Sequence, residues 1–168
     1  MKEATIEALK GESILDLIAR QWMLVTAGTW EGFNTMTASW GGVGHLWNKD
    51  VAFVFVRPER YTHGFIEREE RLTLSFYPEE CRGALQLCGT KSGRDCDKVK
   101  EAGLTPVELA SGAMTFKEAR LTLECRKLFK SEMLEQDFID KEILRQCYGR
   151  KGGLHTIYVA EIEKVYTR

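Results

Sequence analysis

The sequence predicts a mainly β fold: an antiparallel barrel, closed or nearly closed, decorated by short peripheral helices. Two observations carry this. About six segments have strand character, and the three or four helical segments are short. The strands are not evenly interleaved with long helices, which argues against a doubly wound parallel sheet. The chain has 168 residues, of which 43% are hydrophobic and 29% charged. That is enough for one sizeable core. No repeat, low-complexity tract or linker divides it, so residues 1–168 read as one domain.

Taken in order, Ser13 to Arg20 reads as a short helix capped by Ser13, with Asp16 three residues on. Trp22 to Ala27 is a strand, Gly28 to Gly32 a turn, and Phe33 to Ser39 a second strand with β-branched Thr35 and Thr37. Trp40 to Asp50 holds three glycines and two tryptophans and reads as a loop with room for one helical turn. Val51 to Val56 is apolar without alternation, as in a strand buried on both faces. Pro58 ends it, and Thr62 reads as the N-cap of a helix through Phe65, Ile66 and Arg68.

Arg71 to Tyr77 alternates as a strand, and Glu79 to Leu87 reads as a helix. Gly89 to Asp95 is a polar loop, after which Asp95 or Asp97 can cap a short helix ended by Gly103. Met114 to Phe116 opens a strand-rich second half. From Ala119 to Lys130, Leu121, Leu123 and Cys125 share one face and Arg120, Thr122, Glu124 and Arg126 the other, the pattern of a half-buried strand. Phe138 to Cys147 is helical, and Leu154 to Val165 is the last long strand, preceded by Arg150-Lys151-Gly152-Gly153.

A net charge of -1 provides no global field for nucleic acid. The charged start lacks an apolar leader core, and no apolar run reaches the ~20 residues that span a bilayer, so a cytoplasmic setting is expected. The five cysteines are odd in number and lack C-x-x-C spacing. They read as reduced, mostly buried thiols rather than a disulfide framework or zinc site. Gly89-Thr90-Lys91-Ser92-Gly93 fails as a phosphate loop because Thr90 stands where glycine must precede lysine. Gly42-Val43-Gly44 fails as a dinucleotide fingerprint because Trp47 takes the third glycine position. His45, His63 and His155 are scattered and read as surface or pocket residues rather than metal ligands.

Three pieces survive. Arg57 and Arg60 follow a buried strand, and Thr62 follows them. A helix starting there would aim its free N–H groups at the arginines, giving an anion site suited to phosphate. Read alone, a pair of solvated arginines around a Pro turn fits at least as well. Lys91-Ser92-Gly93-Arg94-Asp95-Cys96-Asp97-Lys98 could close over the same phosphate, or be a solvated loop before a capped helix. Thr37-Ala38-Ser39-Trp40 has small side chains that let a planar ring approach the backbone, with Trp40 and Trp47 as walls, or is a strand end with core tryptophans.

The order Asn34-x-Met36-Thr37-Ala38-Ser39-Trp40, Gly44-x-Leu46-Trp47, Arg57-Pro58-x-Arg60-Tyr61-Thr62, Cys88-Gly89-x-x-Ser92-Gly93-Arg94-Asp95-x-Asp97-Lys98 resembles the flavin-reductase-like family of FMN-binding split β-barrels. Its flavoredoxin-type branch is the most similar. The likeness runs from Trp22 to Pro106 and returns at Gly152-Gly153-Leu154.

The resemblance implies a split-barrel homodimer with FMN near the subunit interface. It implies ring and ribityl contacts along Thr37, Ala38, Ser39 and Trp40, phosphate contacts at Arg57, Arg60 and Thr62 with Ser92 and Lys98 nearby, and cofactor-binding positions at Asn34, Met36 and Pro58. The implied activity is a flavoprotein oxidoreductase, an NAD(P)H-dependent flavin reductase taking electrons from NADH or NADPH. The alternative is a flavoredoxin-like carrier with permanently bound FMN, no direct nicotinamide reaction and a redox protein as partner. No side-chain acid or base is needed in either, and no metal is expected.

Overall fold

The computed structural model describes residues 1–149 and 153–168. Ten strands and four α-helices are described: β1 (Lys2–Ala4), β2 (Met23–Thr29), β3 (Gly32–Ala38), β4 (Gly41–Leu46), β5 (Lys49–Val56), α1 (Tyr61–Arg68), β6 (Arg71–Phe76), α2 (Arg82–Thr90), α3 (Lys98–Glu101), β7 (Pro106–Glu108), β8 (Met114–Phe116), β9 (Leu121–Glu132), α4 (Lys141–Tyr148) and β10 (Thr156–Thr167). Eight strands form one sheet in the order β3-β2-β6-β9-β10-β5-β4, with β1 beside β10, and β7 pairs with β8 apart from it. Every described pairing is antiparallel. The antiparallel architecture expected from the sequence therefore stands. The Arg150-Lys151-Gly152 part of the expected lead into the last strand lies outside the described residues.

The core lies inside the curled sheet. Val25, Ala52, Val54, Val56, Leu72, Leu74, Leu123 and Tyr158 pack there with Leu17 and Ile18 of the N-terminal helical turn and Ile66 of α1. That turn, Asp16–Gln21, is wound wider than an α-helix. Ser13 Oγ accepts from the Asp16 amide at 3.3 Å, so the expected cap is present. A smaller cluster joins Leu24, Leu85, Cys88, Leu104 and Phe116, and fixes α2 against the β2–β3 face. No described helix is long and apolar enough to cross a membrane.

Three expectations are corrected. Trp40 to Asp50 is not a loop: it holds β4, a two-residue turn at Trp47 and Asn48, and the start of β5. Both turn residues have left-handed backbones, φ 54° and 56°, the geometry that closes a tight hairpin with the sheet's natural twist. β9 is not half-buried over Leu121–Cys125 but buried on both faces. The short β8 covers the polar side, and the hydroxyls of Ser75, Thr115 and Thr122 bond one another there at 2.9–3.1 Å. Glu124, on the same side, is 1% exposed and accepts from Tyr166 Oη at 2.9 Å. Finally, Arg60 rather than Thr62 is the N-cap of α1, and no side chain caps it.

Candidate functional site

β3 ends at Ala38 and β5 ends at Val56, and the sheet's curl brings these two ends to one cleft. Met36, Thr37, Ala38, Ser39, Trp40, Phe55, Arg57, Arg60 and His155 line a concavity of about 190 Å³. Seven of the twelve residues singled out in the sequence meet here. Phe55 and His155 were not singled out. His155 precedes β10, which pairs with β5 from Thr156↔Val56 onward, so register alone delivers it beside Arg57.

The remaining five lie around this cleft rather than in its wall. Asn34 and Thr62 form a buried pair: Asn34 Nδ2 donates to Thr62 Oγ1 at 2.7 Å, and the residues are 5% and 1% exposed. The Thr62 hydroxyl is thus occupied by β3, which corrects its expected role as a helix cap. Its backbone amide still belongs to the first turn of α1, where N–H groups lack helical partners. Pro58 breaks the chain between the two arginines. Ser92 Oγ accepts from the Arg94 amide at 3.2 Å and so shapes the 91–97 loop. Asp97 caps α3, accepting from the Lys100 amide at 3.1 Å, which delivers Lys98 into the interior.

Lys98 is 3% exposed. Its Nζ donates to the carbonyl of Cys88 at 3.3 Å and of Lys91 at 3.4 Å. Arg60 Nη2 donates to the same Cys88 carbonyl at 3.4 Å. Among the described residues neither cation has a carboxylate partner. Burial, with the neighbouring Arg57 cation adding to it, holds Arg60 below its ordinary pKa. Burial likewise depresses Lys98, with the Arg60 cation adding to it. Buried positive charge without a counter-ion is costly and is normally compensated. The two cations therefore make this side of the cleft favourable to an anion.

Glycines set the packing of the elements around the cleft. Gly93 approaches Asn34 so closely that a Cβ on it would stand 2.2 Å from Asn34 Oδ1. Gly89 lets α2 close on β3, where a Cβ would stand 3.4 Å from that of Thr37. Thr37 Oγ1 donates to the Leu85 carbonyl at 2.5 Å, so this hydroxyl is spent on holding α2 and leaves the backbone of β3 to face the cleft.

The opposite wall is aromatic. Trp40 is 46% exposed and lies 5.3 Å, ring centroid to centroid, from His155. Tyr148, the last residue of α4, bonds His155 Nδ1 through its hydroxyl at 2.7 Å and stacks under Arg57 at 5.0 Å. Arg57 Nη2 also donates to the Cys147 carbonyl at 2.7 Å, tying α4 to the cleft. Burial, reinforced by the Arg57 cation, drops the His155 pKa to about 4, so its imidazole is neutral. Trp47, expected as a second wall, is at the far hairpin tip against Phe129, 6.1 Å away. Cys88 contributes its carbonyl; its buried thiol is pushed up to about 11.

This arrangement has an aromatic slot at one end, an anion-demanding end at the other and no Ser–His–Asp or Cys–His pair among its lining residues. It suits a cofactor with a flat ring and a phosphate, and the donor set fits such a group.

Comparison with known proteins agrees with the fold. The structure is similar to the FMN-binding protein from Thermus thermophilus with bound p-hydroxybenzaldehyde (TM-score 0.69, 20% identity, 88% of this chain and 71% of that one). It is similar to flavoredoxin from Methanosarcina acetivorans (0.69, 21%, 88% and 68%). It is also similar to an NADH:FAD oxidoreductase from Streptomyces globisporus (0.64, 17%, 88% and 75%). At these identities the likeness establishes the split-barrel fold. No curated protein sequence matches. The sequence model described as "Flavin reductase like domain" matches residues 15–168, nearly the whole chain, and the protein therefore belongs to the flavin reductase-like family.

Proposed function

We propose that this protein is an FMN-binding oxidoreductase that takes electrons from NADH or NADPH and passes them to an acceptor. The observation that carries the reading is a pair of cations, the half-buried Arg60 and the buried Lys98, meeting at the Cys88 carbonyl without a carboxylate among the described residues, with Arg60 in the wall of the cleft that Met36 to Trp40 also line. A phosphate monoester supplies the missing charge, and a flat ring fits the slot.

In this reading Arg57, Arg60 and the first amides of α1 bind the phosphate, and Lys98 neutralises it from behind. The backbone of Thr37, Ala38 and Ser39 lies along the ring edge, Met36 packs beneath, and Trp40 shields a face from water. The bound flavin supplies the hydride chemistry. The side chains orient it and stabilise charge on the ring edge through backbone N–H groups. Asn34 and Thr62 hold β3 to α1 so that the ring end and phosphate end keep their spacing. We further propose a homodimer, supported by the exposure of Trp40 at the cleft mouth and of the Trp47–Phe129 pair.

The test is anaerobic titration of the FMN-loaded protein with NADH and with NADPH. Bleaching of the flavin absorbance by either supports the reductase. A loaded protein inert to both supports instead the carrier reading, with a redox protein as electron partner.

A further inference from the structure

α4 ends at the cleft, and its last residue reaches past the mouth to a histidine. Tyr148 Oη lies 2.7 Å from His155 Nδ1 and 3.6 Å from Met133 Sδ. A phenol has one proton to donate, and an imidazole nitrogen is a far better acceptor than a thioether. Burial keeps the phenol protonated, raising its pKa against the opposing Arg57 cation. Nδ1 is therefore the acceptor, and the proton of the neutral ring sits on Nε2.

Among the described residues Nε2 has no hydrogen-bond partner, and the only buried polar side-chain atom without one is Tyr77 Oη. His155 lines the cleft with Trp40, Arg57 and Arg60, and with Nδ1 engaged by Tyr148 the nitrogen left to meet a ligand there is Nε2. Trp40 at 5.3 Å and Tyr148 at 5.5 Å fix the ring plane. Packing of Phe138 on Tyr148, centroids 5.8 Å apart, and the Arg57 bond to the Cys147 carbonyl fix Tyr148 in turn.

We propose that Tyr148 is a positioning residue that locks His155 as a neutral Nε2–H donor aimed at an oxygen acceptor of the bound ligand, at the ring end of the cleft. Only the identity of that acceptor rests on the flavin reading. It is a carbonyl oxygen, belonging either to the flavin ring or to the carboxamide of the nicotinamide.

The test is long-range ¹H–¹⁵N correlation of histidine-labelled protein, first without FMN, then with FMN, then with NAD⁺ added. The proposal expects the His155 shifts of an Nε2–H tautomer in the FMN-free protein, and a mixture of tautomers in Tyr148→Phe, which keeps the ring packing. It expects Met133→Leu to leave the tautomer unchanged. A shift of the Nε2–H proton on FMN addition assigns the acceptor to the flavin; a shift only on NAD⁺ assigns it to the nicotinamide.

An Nδ1–H tautomer in the wild type, or an unchanged tautomer in Tyr148→Phe, overturns the proposal. So does an Nε2–H proton unmoved by both ligands in protein shown by absorbance to hold FMN. Failure of the wild type to take up FMN overturns the flavin reading instead, and the tautomer measured in the FMN-free protein still decides the role of Tyr148.

Discussion

Arg60 and Lys98, one from the start of α1 and one from the start of α3, donate to a single oxygen, the Cys88 carbonyl, at 3.4 and 3.3 Å. Even with the Lys91 carbonyl also accepting from Lys98, carbonyl dipoles do not balance two full charges. The pair is a cost to the empty fold and an asset once an anion arrives, so stability and affinity should respond in opposite directions to its removal.

Lys98→Met keeps the buried stem and deletes the charge. The FMN-free protein should become more stable by about 1 kcal/mol or more, as when buried ionic groups are replaced by apolar ones, while FMN affinity falls. Thermal melts of the free and loaded forms read both effects. A variant destabilised in both forms would show that Lys98 is structural.

Arg60→Ala should weaken FMN binding by about 1.5–3 kcal/mol, the scale of a charge-assisted hydrogen bond. Fluorescence titration with FMN measures this. Riboflavin, which lacks the phosphate, should lose far less affinity in the same variant.

Thr62→Val removes the acceptor of the Asn34 amide and leaves a buried donor unmet, at roughly 1–3 kcal/mol. Denaturant melts should show this loss in the FMN-free protein, with Thr62→Ser restoring most of it. If stability is unchanged and FMN binding alone suffers, the hydroxyl serves the ligand rather than the scaffold.

His155 gives a pH signature. Its folded pKa of about 4 lies below the ordinary value of 6.5, so between these values the unfolded chain binds more protons and stability falls as pH drops. Glu12, bonded by Arg120, and Glu161, bonded by Lys49, act in the same direction but below about pH 4.5. His155→Gln should therefore flatten the loss between pH 6.5 and 4.5, read from melting temperatures across that range.

Much of this was legible in the residues. Alternation and length located most strands, and the motif order gathered Met36 to Trp40 with Arg57 and Arg60. What escaped was set by distant contacts. The glycines of Trp40–Asp50 suggested a loop, yet they line a strand: a Cβ on Gly41 would meet the Phe53 carbonyl at 2.8 Å, so glycine is what lets β4 lie against β5. Glu124 looked solvent-facing because its partner, Tyr166, is forty-two residues away in sequence. His155 carried no spacing signal, since the β5–β10 register alone brings it to the cleft. Thr62 was read as a helix cap and not as the partner of Asn34, a contact between residues twenty-eight apart in sequence.

The most direct test of the central claim is the absorbance spectrum of the purified protein after titration with FMN and removal of the excess. The account predicts a flavin spectrum retained at one FMN per chain in the wild type and lost in the Arg60→Ala, Lys98→Met double variant. A folded wild-type protein that stays colourless, or a double variant that retains FMN as tightly as the wild type, would contradict it.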